Sequence, residues 1–191
     1  MGIAGKESLV VRHLKDVSEL AGFRCGVARM DDFIQKHLSS SIENHYCQAY
    51  VVRRGGQVVA MFALGFDSLA LDDDSLEEML LGQSANMPDI TGEYQDTFFA
   101  KFHYPAVEIS YIAIDQRYQK EGIGSALIDG IEDMVRRQNV AGCMFLTVEA
   151  YKTEDYSAIG FYNKCGFEAG EMLNANKSTL RMFKALYQNR N

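Results

Sequence analysis

Residue types and spacing first point to chemistry in the stretch Ile112-Ala113-Ile114-Asp115-Gln116-Arg117-Tyr118-Gln119-Lys120-Glu121-Gly122-Ile123-Gly124-Ser125. An apolar strand end runs into a loop with two glycines and then directly into a helical pattern. Backbone amides that lack an intrahelical acceptor therefore converge on one concavity. The helix dipole adds about half a positive charge there, and glycine removes the Cβ that would hold a phosphate off the backbone. The pattern predicts an anion site. It is neither the GxxxxGK[ST] of a P-loop nor the GxGxxG of a dinucleotide fold, since only Gly122-x-Gly124 and then Ser125 are present. Nucleotide hydrolysis and nicotinamide binding lose support accordingly. Standing alone, such a turn would serve strand-to-helix geometry equally well.

Other chemistries find less footing. Cys25, Cys47, Cys143 and Cys165 form no CxxC pair, and His13, His37, His45 and His103 include no HExxH. Reduced core thiols and no metal are expected. The chain has 191 residues, 47% of them hydrophobic and 24% charged, which suits one packed α/β domain and excludes disorder as the main state. Its longest apolar runs, such as Val58 to Leu64, are far short of a membrane helix. The start MGIAGKES lacks a signal-peptide core, and Lys6 stands where a myristoylation signal needs Ser or Thr. A cytoplasmic protein with no membrane partner is expected.

The net charge of −7 argues against a polyanionic partner until its distribution is read. Nine acidic residues lie between Asp67 and Phe99, where there is no Lys or Arg, and the rest of the chain holds 19 bases against 17 acids. One segment carries the acidity.

The elements that must position the loop follow from periodicity. Ser8 to Leu14 reads as a first strand, followed by Asp16 and Ser18 as helix N-caps. Met30 to Tyr46 repeats apolar residues at three- and four-residue steps and predicts one amphipathic helix. Cys47 to Arg54 and Gln57 to Phe66 predict a hairpin closed by Gly55-Gly56. An acidic insertion at about 67–100 contains one helix-like stretch, Ser75 to Leu81. Ala106 to Asp115 predicts a central buried strand, Ile123 to Arg137 an amphipathic helix, and Cys143 to Val148 a second buried strand. Asp155 to Lys164 predicts a short helix, and Phe167 to Met172 with Ser178 to Tyr187 two closing strands.

Two motifs in this order carry a family resemblance. Gln119-x-x-Gly122-x-Gly124 after the Ile112-Ala113-Ile114-Asp115 strand end resembles the pyrophosphate loop of the GNAT superfamily of acetyl-CoA-dependent N-acetyltransferases. Ala158-x-x-Phe161-Tyr162-x-x-x-Gly166-Phe167 resembles the second signature of that superfamily. The resemblance implies a single α/β GNAT domain over residues 1–191. Its mixed central sheet of about six to seven strands would be flanked by helices, with splayed central strands holding acyl-CoA. It implies acetyl-CoA as cosubstrate, with pantetheine pairing to the backbone of Ile112, Ala113 and Ile114. The pyrophosphate would lie on Gln119, Lys120, Glu121, Gly122, Ile123, Gly124 and Ser125. Asp155 stands where many members have Asn and would be a further cofactor contact.

The resemblance also implies direct attack of an amine on the thioester, with Tyr162 as general acid toward the departing sulfur. Full transfer from a phenol of pKa about 10 to a thiolate of about 8.5 is uphill by roughly 2 kcal/mol, so a hydrogen bond in the transition state suffices. The alternative for Tyr162 is a core aromatic beside Phe161. The amine arrives protonated and needs a base, for which Glu108, Glu149 and His103 are candidates.

Phe23-Arg24-Cys25-Gly26 with Met30-Asp31-Asp32-Phe33-Ile34 resembles the opening of the toxin-type branch, which acetylates aminoacyl-tRNA, and Pro105 fits that branch too. Against it stand the acidic insertion and the need for basic surface, for which Arg53, Arg54, Arg136 and Arg137 are available. Three functions are carried forward. A small-molecule or peptide amine is the leading acceptor, charged tRNA is the second, and a non-catalytic acyl-CoA sensor is the third. A homodimer is left open.

Overall fold

The computed structural model describes residues 8–70, 93–169 and 178–186. Chain order is β1 (Val10–His13), a 3-10 turn (Val17–Leu20), α1 (Ala28–Lys36), α2 (Leu38–Glu43), β2 (Gln48–Arg54), β3 (Gln57–Ala70), α3 (Glu93–Phe99) and β4 (His103–Ile114). A second 3-10 turn (Gln116–Tyr118), α4 (Ile123–Arg137), β5 (Phe145–Tyr151), α5 (Ile159–Lys164), β6 (Glu168–Ala169) and β7 (Thr179–Ala185) follow. The strands are hydrogen-bonded neighbours in the order β1-β2-β3-β4-β5-β7-β6, a mixed sheet of seven. Two compact units divide the chain, Met1–Gly65 with Ser110–Leu127 and Phe66–Ile109 with Ile128–Asn191, and β3, β4 and α4 run through both.

In the first unit β2 and β3 pair antiparallel, and the Arg54↔Gln57 register closes a two-residue turn. Gly55 and Gly56 both take positive φ, at 55° and 82°, as the sequence requires of a tight hairpin. A bulge between Val52 and Arg53 drops Val59 from the register, and its carbonyl accepts the Asp115 N–H at 2.9 Å. The hairpin thereby grips the end of β4. Leu14, Leu20, Phe23, Ile34, Leu38, Met61 and Ala113 are buried in one apolar cluster. Tyr111 stacks on Phe33 at 3.6 Å beside it.

The helix expected over Met30 to Tyr46 is two helices, broken at His37 with φ −120° and ψ −20°. Ser39, Ser40 and Ser41 follow the break, and the Ser41 hydroxyl donates back to the His37 carbonyl at 3.1 Å. Serine in such a run competes with the helical ladder, which apolar periodicity alone does not register.

In the second unit β5 pairs with β4 in parallel at Ala106↔Phe145, Val107↔Leu146 and Glu108↔Thr147. It pairs with β7 in antiparallel from Phe145↔Ala185 to Tyr151↔Thr179. Phe145, Thr147 and Glu149 share one face of β5 by its period of two. Phe98, Tyr104, Phe145 and Phe183 pack together at the Phe145 end of that face. The buried Tyr104 hydroxyl donates to the Phe98 carbonyl at 2.8 Å. Further along, the same register places Glu108, Thr147, Glu149 and Arg181 together.

Several expected boundaries move. β3 runs on to Ala70, so Asp67 lies in a strand rather than opening an insertion. The expected helix Ser75 to Leu81 and most of the acidic segment lie outside the described residues. β4 starts at His103 and ends before Asp115, which is a cap. β5 starts two residues later than expected and reaches Tyr151. α5 begins only at Ile159, because Thr153 and Tyr156 close a turn through Thr153 N–H to Tyr156 O at 2.9 Å. Of the two closing strands, β6 spans Glu168–Ala169 and β7 spans Thr179–Ala185, and residues 170–177 and Tyr187 lie outside the described residues.

Candidate active site

The glycine loop lies in the first unit. Asp115 follows β4 with its side chain 1% exposed and caps the 3-10 turn, accepting the Arg117 N–H at 3.0 Å. The Arg117 guanidinium adds bonds from Nε at 2.8 Å and Nη2 at 2.9 Å. Lys120 and Gly122 then take left-handed φ of 63° and 81°. At Gly122 a Cβ would meet no atom within 4 Å, so the loop backbone faces open space. Ala126 N–H makes a helical bond to Gly122 O at 3.2 Å, which puts the amides of Ile123 to Ser125 in the first turn of α4, at its positive end. Gln119 to Gly122 are exposed and Ile123 is buried. This arrangement can receive a diphosphate. Glu121, an acidic residue on this loop, is neutralised by Arg54 at 2.6 Å, and Arg54 also lies over the Tyr118 ring at 5.0 Å.

The Arg117 guanidinium, against the cost of burial and with help from the Arg117 and Arg24 amides, holds the Asp115 carboxyl below its ordinary range. A depressed folded pKa contributes stability above the unfolded value, near 3.9, and loses it as pH falls through the folded value. Asp115→Asn is therefore expected to be less stable than the parent above about pH 4 and to converge on it in stronger acid. Thermal unfolding across a pH series checks this.

Tyr162 lies in the second unit, where its motif folds into a capped helix. Phe167 N–H reaches Tyr162 O at 3.0 Å and Gly166 N–H reaches Asn163 O at 3.0 Å, around Gly166 at φ 84°. This is a Schellman cap, and its usual apolar contact is here the Tyr162 ring against Phe167 at 5.4 Å. The glycine fixes the tyrosine. Burial pushes the Tyr162 phenol well above its ordinary range, so it remains a hydrogen-bond donor at any working pH. Outright proton transfer is thus more uphill than ordinary pKa values imply. At Gly166 a Cβ would lie 3.4 Å from Lys184 Cε as well as in left-handed backbone. Gly166→Ala is expected to cost about 1–2 kcal/mol in urea unfolding.

The β-sheet of the second unit gathers a cluster that the sequence did not announce. Arg181, 9% exposed, makes an ion pair with Asp67 and approaches Glu108 Oε1 at 3.4 Å and Glu149 Oε1 at 3.5 Å. Thr147 donates to Asp67, and Thr179 donates to Glu149 Oε2 at 2.7 Å. Both candidate base glutamates are therefore brought together, on one guanidinium. Asp67 and Arg181 were missed because residues of four strands meet only through sheet register. His103 is exposed and an odd number of residues from Glu108 on β4, so it belongs to the other face.

Asp155 is exposed at the tip of the 153–156 turn. The four arginines proposed as basic surface are all ion-paired, Arg53 with Glu19, Arg54 with Glu121, Arg136 with Glu132 and Arg137 with Asp133. Among the described residues no helix is long and apolar enough to cross a membrane.

The Acetyltransferase (GNAT) family model matches residues 14–167. A tRNA-acetylating toxin of Mycobacterium tuberculosis is 27% identical over 158 residues, 82% of each chain. Among solved structures, AtaTR bound with AcCoA matches with a TM-score of 0.62 at 22% identity, covering 93% of both chains. AtaT complexed with acetyl-methionyl-tRNAfMet matches with a TM-score of 0.62 at 20% identity, covering 91% of this chain and 94% of that one.

Proposed function

The chain belongs to the GNAT acetyltransferase family, and from that premise we propose that it transfers the acetyl group of acetyl-CoA to the amino group of an aminoacyl-tRNA. The observation that carries this reading is the likeness to a tRNA-acetylating toxin over 82% of both chains. The Phe23-Arg24-Cys25-Gly26 opening agrees with it. Together they move charged tRNA ahead of the small-molecule or peptide amine that charge alone favoured.

Acetyl-CoA supplies an acetyl group activated as a thioester. The amides of Gln119 to Ser125 hold its diphosphate by hydrogen bonds and dipole, with Lys120 adding charge and Asp155 as a further contact. The extended backbone of Ile112 to Ile114 pairs with the pantetheine arm. Tyr162 donates its O–H toward the sulfur as negative charge develops there, and its raised pKa suits a donor that does not give the proton up early. Glu108 or Glu149 takes the proton that the acceptor ammonium must lose. Exposed Arg12, Lys15, Lys152 and Lys164 are cations available to nucleic-acid phosphates.

A cell-free translation extract tests the proposal. Addition of the protein is expected to arrest synthesis only when acetyl-CoA is supplied. Unimpaired synthesis, together with thiol release on a panel of small amines, would return the small-amine reading. Tight CoA binding with turnover on no acceptor would leave a sensor.

A further inference from the structure

We propose that Asp31 is a positioning residue for the acetyl-CoA site, acting on the diphosphate loop through the Phe23–Gly26 segment. The inference rests on the proposed cosubstrate.

Asp31, in the first turn of α1, accepts two backbone donors, Cys25 N–H at 2.7 Å on Oδ1 and Gly26 N–H at 3.1 Å on Oδ2. Those amides belong to the Arg24–Cys25 and Cys25–Gly26 peptide units. The carbonyls of the same two units face the loop. Arg24 O accepts Gln116 N–H at 2.8 Å, and Cys25 O accepts Gln119 Nε2 at 2.7 Å. Each peptide is planar and trans, so its N–H and C=O point in opposite directions, and holding one fixes the other. One carboxylate thus locks two planes whose far sides anchor Gln116 and Gln119.

Two further contacts tie the segment to the same place. Gln119 Nε2 also reaches Ile114 O at 3.1 Å, and Arg24 N–H reaches Asp115 Oδ2 at 3.5 Å. Gly26 lies at φ 82°, and a Cβ there would come within 3.5 Å of Gln116 Oε1. The loop has reason to need this anchor. Gln119 immediately precedes Lys120, a non-glycine residue in left-handed backbone, whose conformation persists only where its surroundings over-determine it. A charged acceptor makes stronger hydrogen bonds than a neutral one and polarises the amides it binds, which strengthens their carbonyls as acceptors in turn. Asp31 is tied to the loop through these two peptides. The Cys-Gly element of the opening motif and the acidic residue after Met30 therefore read as one device, which presents the loop amides to the diphosphate.

Calorimetric titration with CoA and with pantetheine, which lacks the diphosphate, tests this on the full chain. Asp31→Asn keeps one acceptor oxygen, and Gln119→Met breaks the same linkage from the loop side, so either variant can report if the other folds poorly. Each is expected to weaken CoA binding about tenfold, the scale of one charge-assisted hydrogen bond, while pantetheine binding changes by less than about twofold. Equal losses for both ligands, or no loss for CoA, would overturn the role of Asp31. Absence of heat from the parent protein with CoA would instead overturn the cosubstrate reading on which it rests.

Discussion

Tyr162→Phe is expected to lower kcat for acetyl transfer by about two to three orders of magnitude, the usual cost of one donor aimed at developing charge, with CoA affinity changed less than about twofold. The separation follows from how the side chain is held. Its ring packs edge-on against Phe161 at 5.1 Å and Phe167 at 5.4 Å, and the Schellman cap fixes the backbone around it. Phenylalanine reproduces all of that and lacks only the hydroxyl. A drop of less than about tenfold, by continuous detection of free thiol, would mean that Tyr162 is a core aromatic and no more.

The largest expected effect on stability is at Arg181. Arg181→Met leaves Asp67, Glu108 and Glu149 facing one another without the guanidinium that now joins them. Removing one partner of a buried ion pair costs about 3–5 kcal/mol. The Glu108 and Glu149 side chains are 28% and 41% exposed, so water takes up part of the loss and the low end of that range is expected. Adding Asp67→Asn should recover part of it. Urea unfolding of the two variants checks both signs, and an Arg181→Met protein as stable as the parent would show that the cluster contributes nothing to folding.

The local geometry around the candidate site residues is legible in the sequence because its signals are local. The turn at Gly55-Gly56 demands positive φ, and α4 spans Ile123 to Arg137 as its apolar spacing predicts. The Phe161-Tyr162…Gly166-Phe167 pattern is a helix cap written in residue types, and Gly122-x-Gly124 marks a turn that opens α4 with its backbone facing open space. What stayed hidden is non-local. The Asp67–Arg181 pair depends on strands far apart in the chain falling into register, and the Arg54–Glu121 pair on a hairpin folding against a loop. Nothing in the spacing of Asp31 announces that its carboxylate receives the amides of Cys25 and Gly26. The break at His37 escaped for the opposite reason, since the apolar periodicity continues through it from α1 into α2 and carries no mark of the interruption.

The most direct test is transfer of isotope-labelled acetyl from acetyl-CoA in the presence of charged tRNA, matched uncharged tRNA and a free polyamine. Label on the amino group of the esterified amino acid, absent from uncharged tRNA and lost in Tyr162→Phe, is the predicted result. Label that reaches the polyamine while charged tRNA remains bare would contradict it.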